Sequence, residues 1–232
     1  MNPNSTKYLF NITYIILSIA AVISELIETN TIIDIFYKAS GLILLLIAYV
    51  LQKEKKTKFF YVVLMLLIAY SNSLFSFGDR YIGQIVFINM IEKSALLTMI
   101  FTVLKKKDYK SLLKFNLLIF CSTAPLYYFF NKAITEHNFI VFICYILTCT
   151  AIAASYYNFI YNNNQKSFYY FLSILIFCFS EVFFGIFFYF DNSVLYVASG
   201  FFLLGFARYI FYRFMLENNK NSSGLDIKLQ KN

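Results

Sequence analysis

Apolar blocks of about 20 residues, each closed by a short break rich in Lys or Asn, recur along the whole 232-residue chain. That is the length an α-helix needs to cross a hydrocarbon layer of ~30 Å. Eight such blocks can be read, roughly at 8–27, 31–51, 59–77, 82–104, 112–130, 139–161, 168–190 and 194–216. A water-soluble fold could not hide them. Sixty per cent of the residues are hydrophobic and 14% are charged, against roughly a quarter charged in soluble domains. A bilayer removes that conflict, and in a bilayer helices satisfy their own backbone hydrogen bonds. The sequence therefore predicts an all-α, polytopic helix bundle of about eight transmembrane helices. Residues 1–216 would form a single domain, and 217–232, rich in Asn, Lys and Ser, a disordered cytoplasmic tail.

The net charge of +8 is not spread as a nucleic-acid face would need. It sits in runs between blocks, Lys53-Glu54-Lys55-Lys56-Thr57-Lys58 and Lys105-Lys106-Lys107-Asp108-Tyr109-Lys110, as cytoplasmic loops beside anionic headgroups do. No nucleic-acid partner is expected. The N-terminus, the 52–58, 105–114 and 162–167 stretches and the end from Arg213 hold fifteen of the twenty Lys and Arg residues. The alternate loops hold two, Arg80 and Lys132, and Lys38, Lys93 and Arg208 lie within blocks. With an even number of spans, this asymmetry places both termini inside, as for a multi-pass protein of the cell (inner) membrane. The first block has no small-residue cleavage site and is read as a retained helix.

Cys121, Cys144, Cys149 and Cys178 all fall inside apolar blocks without a CxxC pair and read as small core residues. His137 is the sole histidine and lies in a polar loop, so no histidine-based metal centre, and no cofactor, is called for. Phe and Tyr cluster at block ends, as in Tyr127-Tyr128-Phe129-Phe130, and read as interfacial belts. Pro125 interrupts the fifth block and is expected to kink it.

Chemistry in such a chain is sought among polar groups where they are expensive. These are Lys38, Glu92, Lys93, Glu181 and Arg208, with Asn72 and Asn89 as uncharged company. Glu181 stands out, with no charge within nine residues on either side. It must be protonated, open to water, or paired with a cation from another helix, for which Lys38, Lys93 and Arg208 are available. Asn89 and Lys93, four residues apart, share a helix face with Glu92 at its edge. A polar pocket open toward the outer half and floored near the bilayer centre would gather Lys38, Asn72, Glu92 and Glu181. Glu25, Glu28, Asp34 and Asp79 would line its mouth or simply be solvated helix ends.

Eight spans in this length, with polar residues in spans two, three, four, seven and eight, resemble the YhhN family, the lysoplasmalogenase-like membrane proteins. Tyr37-Lys38-Ala39 keeps the Lys of that family's Lys-Pro. Ala69-Tyr70-Ser71-Asn72 follows its Ser-x-x-Gly-Asp pattern with Asn for Asp, and Phe87 followed by Ile91-Glu92 stands at its Phe and Ala-His. Phe177-Cys178-Phe179-Ser180-Glu181, then Gly185 and Phe190, is similar to its Phe-x-x-Ser-Asp span with Glu for Asp, and Ala207-Arg208-Tyr209 to its Ala-Gln. The resemblance implies hydrolysis of the vinyl ether bond of lysoplasmalogen-type lysolipids. In that chemistry a carboxylic acid protonates the enol ether and water attacks the oxocarbenium ion. Glu181 would be the acid–base group and Glu92 a second carboxyl. Lys38, Asn72, Ser180, Asn89 and Arg208 would bind the substrate, a membrane lipid or lysolipid, with Lys38 suited to a phosphate. The competing readings are a non-catalytic lipid- or amphiphile-binding protein of the same fold and a small transporter with a Glu181-centred proton relay. The transporter has no internal repeat to support it.

Overall fold

The computed structural model describes residues 3–27, 31–51, 59–104, 108–133 and 138–229. The Lys-rich runs 52–58 and 105–107, Glu28, and the loop carrying His137 lie outside the described residues. The described residues form eight α-helices: α1 (Pro3–Leu26), α2 (Thr31–Val50), α3 (Phe59–Phe75), α4 (Ile82–Val103), α5 (Tyr109–Ala133), α6 (Asn138–Asn162), α7 (Gln165–Tyr189) and α8 (Val194–Leu229). They contain no strand. Seven helices are long and apolar enough to cross a membrane, so the protein is a multi-pass membrane bundle. The exception is α3, whose apolar stretch is Tyr61–Phe75. A 3₁₀ turn over Gly78–Tyr81 then leads into α4. Helix α8 continues past its apolar window, which ends at Glu217, as far as Leu229.

The 162–167 loop expected from the sequence is tighter than its polarity suggests. Helix α6 runs through Asn162 and α7 begins at Gln165. Asn163 takes a left-handed φ of 38°, which Asn tolerates better than most residues. Asn164 then caps α7: its Oδ1 accepts from Ser167 N at 2.8 Å, while its own N–H donates to Ser167 Oγ at 3.4 Å. Asparagines read as a loop are two reciprocal helix ends.

Packing joins the helices in a closed circuit, α1–α2–α3–α4–α6–α7–α8 and back to α1, with α7 against α8 the most extensive pairing. Helix α5 stands outside the circuit, chiefly on α6 with a lesser contact to α7. No residue of its apolar window is buried. It is held to α6 by side chains: Asn116 Nδ2 donates to Thr150 Oγ1 at 3.2 Å, and the Tyr127 and Tyr145 rings stack at 4.5 Å. Within the circuit, Ala151, Ala153, Ala154 and Ser155 are all buried, so α6 is enclosed around its girth here by way of the small residues that let membrane helices approach closely. Tyr hydroxyls lock distant helices through backbone carbonyls. Tyr14 donates to Gly205 O and Tyr170 to Leu96 O, both at 2.6 Å. Such bonds satisfy these two hydroxyls in an apolar interior, whereas the buried Tyr61 hydroxyl has no partner among the described residues.

Candidate functional site

A cavity of about 270 Å³ lies in the half of the bundle that holds the starts of α4 and α6 and the ends of α5 and α7, between α4, α6 and α7 on one side and α5 on the other. Each helix gives it one face. Ile82, Ile85, Val86 and Asn89 come from α4, and Thr123, Leu126, Tyr127 and Phe130 from α5. Cys144, Tyr145, Thr148, Cys149 and Ile152 come from α6, and Cys178, Glu181, Val182, Gly185 and Phe188 from α7. These are i, i+3, i+4, i+7 series, the signature of one helical stripe. The walls are mostly apolar and aromatic.

Glu181 forms an ion pair with Lys93, linking α7 to α4. The two helices do not otherwise pack extensively, and Tyr170 OH on Leu96 O is their second polar link. The pair is lopsided. The Lys93 side chain is 6% exposed and that of Glu181 30%, so the ammonium is sealed behind the carboxylate and the carboxylate faces the cavity. Lys93 is thus the cation that answers Glu181, out of the three that the sequence offered.

Of the other residues singled out from the sequence, Asn89 also lines the cavity. Ser180 is buried, and its hydroxyl is spent on Phe177 O at 2.7 Å. Glu92 has Lys93, Glu181 and Arg208 as charged neighbours, but it points elsewhere than the cavity wall. Its Oε1 is buried without a hydrogen-bond partner among the described residues. Arg208 is buried on α8 beside Tyr14 and Glu92, and its Nε and Nη2 have no hydrogen-bond partner among the described residues. Asn72 is buried on α3, and its Nδ2 is likewise unpartnered among them. Glu181, Lys93, Glu92 and Arg208 therefore form a run of ionisable groups leading from the cavity into the bundle.

Lys38 lies in a different place. Its ammonium pairs with Glu25 of α1 and, at 2.5 Å, with Asp34 one turn earlier in α2. It also reaches Ser76 Oγ at 3.3 Å, and Asp34 accepts from Ser24 Oγ at 2.9 Å. Glu25 and Asp34, read from the sequence as a pocket mouth or solvated ends, are instead the anions that neutralise a buried lysine. Asp34 is itself buried. The Lys38 ammonium lies 4.7 Å from the centre of the Phe201 ring. Phe201 packs on Phe75 and Phe184, which line the cavity, so an aromatic partition stands between the Lys38 cluster and the cavity. Four polar residues expected to share one pocket are divided among separate environments.

Sequence reasoning missed the α5 and α6 walls. Cys144, Tyr145, Thr148 and Cys149 make a weakly polar stripe on an otherwise apolar helix, and that spacing was the signal available. Comparison of the chain with protein-family models, curated proteins and solved structures finds no match.

Proposed function

We propose that this membrane protein takes up a single-chain amphiphile in the outer-half cavity, with its polar end at Glu181. The observation that carries the reading is one carboxylate facing an otherwise apolar, aromatic cavity inside a bilayer protein. Lys93 neutralises that carboxylate yet leaves its side chain 30% exposed, and few polar groups among many apolar ones is how small-molecule sites are built. A volume of about 270 Å³ is near the lower end of the ~300–1,000 Å³ of ligand pockets. It suits one slender chain better than a two-chain lipid. Three native cysteines on the wall, Cys144, Cys149 and Cys178, provide a readout. In protein reconstituted in nanodiscs, decanol is expected to slow alkylation of Cys144 and Cys178 by N-ethylmaleimide. Cys121, exposed on α5, should keep its rate. Equal rates with and without decanol would refute uptake into the cavity.

The second reading is the vinyl ether hydrolysis implied by the resemblance to the YhhN family, and the same carboxylate favours it. Its demand is that Glu181 deliver a proton to the enol ether carbon, so the Glu181 carboxyl would have to part from Lys93 during the reaction. Release of fatty aldehyde from a lysoplasmenyl lipid by the purified protein, lost in Glu181→Gln, would establish it. Absence of turnover in protein that still takes up decanol would leave the binding reading alone.

A further inference from the structure

Among the described residues, the one charged side chain that lines the cavity is Glu181. Thr123 Oγ1 donates to Ile119 O and Tyr145 OH to Phe120 O, both at 2.7 Å, and Cys144 Sγ donates to Val86 O at 3.6 Å. Thr123 Oγ1 and Tyr145 OH also lie 3.0 Å from each other, and Tyr127, Thr148 and Tyr189 add further hydroxyls to the lining, so its uncharged groups can donate as well as accept. Glu181 presents a carboxylate, an acceptor without a hydrogen to give. The amide of Asn89 can serve either way. Among the described residues no Lys, Arg or His lines the space. Lys93 lies behind Glu181, and Lys38 is committed to Glu25 and Asp34 across the aromatic partition. A phosphate or carboxylate head would therefore meet the Glu181 carboxylate with no cation on the lining itself to answer it. A head rich in N–H donors and positively charged meets the opposite. The stacked rings of Tyr127 and Tyr145 add π faces, which attract cations within ~6 Å.

From this we infer that the cavity selects cationic single-chain amphiphiles, a long-chain alkylammonium, over anionic ones, through the free side of the Glu181 carboxylate. The inference rests on the amphiphile-uptake reading and assigns its headgroup. An ammonium at Glu181 would flank the carboxylate with a second cation opposite Lys93. The Glu181–Lys93 pair can stay intact while it binds, because Lys93 approaches Oε1 and a carboxylate has a second oxygen to accept with.

The test uses decylammonium, decyl sulfate and decanol, which share a chain and differ in the head. Protection of Cys144 and Cys178 from N-ethylmaleimide, a neutral reagent, is normalised to Cys121 in the same nanodiscs. Decylammonium is expected to protect at a concentration about tenfold lower than decyl sulfate, the ratio given by ~1.4 kcal/mol of binding. The Lys93→Met/Glu181→Gln double variant removes both charges without stranding either in the membrane. It should lose the preference while decanol still protects, and Glu181→Asp should keep it. If the three amphiphiles protect alike, or the sulfate protects best, uptake stands and the headgroup assignment is overturned. A preference that survives in the double variant also overturns it, because Glu181 is then not its source. If none protects, uptake itself fails and the assignment falls with it.

Discussion

Lys93 and Glu181 illustrate how burial sets the consequence of a substitution. The lysine side chain is almost sealed, at 6% exposure, whereas the glutamate keeps 30%. Removing the glutamate strands an ammonium inside the bundle. Removing the lysine leaves a carboxylate that still faces the cavity. Breaking a buried pair from one side costs about 3–5 kcal/mol, and replacing both partners by neutral groups is often close to neutral. Glu181→Gln is therefore expected to lower thermal stability in detergent by about that amount, and Lys93→Met by less. The double variant should return most of the loss. Losses that simply add in the double variant would show that the two side chains are not coupled. The isolation of Glu181 was legible in the sequence, because an intramembrane carboxylate is costly whatever surrounds it. Its partner was not. Which of three cations answers it depends on α4 and α7 being drawn together around α6, a tertiary fact that no local pattern encodes. Lys38 was ambiguous for the same reason, since Glu25 and Asp34 reach it from α1 and from its own helix.

At the scale of helices, α7 on α8 is the pairing most sensitive to added volume. A Cβ on Gly200 would lie 2.6 Å from Phe184 Cε1 and 2.9 Å from two further atoms of that ring. Phe184 cannot simply step aside, because it also packs on Phe75 and Phe201 and forms part of the cavity wall. Gly200→Ala is expected to destabilise by about 1–3 kcal/mol through overpacking and to weaken decanol protection of Cys178 as the ring turns inward. Gly41 provides the contrast. A Cβ there meets its nearest neighbour, Tyr14, at 3.6 Å, an ordinary contact. Gly41→Ala should leave the melting temperature unchanged or raise it, since Ala gains ~1 kcal/mol over Gly in a helix interior. Equal effects of the two substitutions would refute this account of the α7–α8 contact. The positions of the helices were legible from the spacing of apolar blocks, and their pairing was not. Nothing in the composition of α5 marks it as the helix outside the circuit, because a lipid-facing stripe and a buried stripe are equally apolar when lipid is the solvent.

For the molecule as a whole, the orientation turns on its weakest span. The apolar part of α3, Tyr61–Phe75, is about 23 Å long at ~1.5 Å per residue, short of a ~30 Å hydrocarbon layer. Two features make the crossing affordable. Tyr61, Leu64, Met65, Ile68 and Asn72 are buried, so much of α3 faces neighbouring helices, and Ser76, Phe77 and the 3₁₀ turn extend the path before α4 begins. Local bilayer thinning makes up the rest at modest cost. Were α3 not to cross, every later helix would invert and the Lys105-Lys106-Lys107 run would lie outside with the charge asymmetry reversed, against the tendency of Lys and Arg to stay in the cytoplasm. Arg80 and Lys110, both exposed, lie at opposite ends of α4 and its following turn and report on this directly. In a variant with the native cysteines replaced, Arg80→Cys is expected to react with a membrane-impermeant maleimide added to intact cells. Lys110→Cys should react only after the membrane is opened. The reverse pattern would mean that α3 stays on one side, and it would move the cavity with its Glu181 carboxylate to the cytoplasmic half of the membrane.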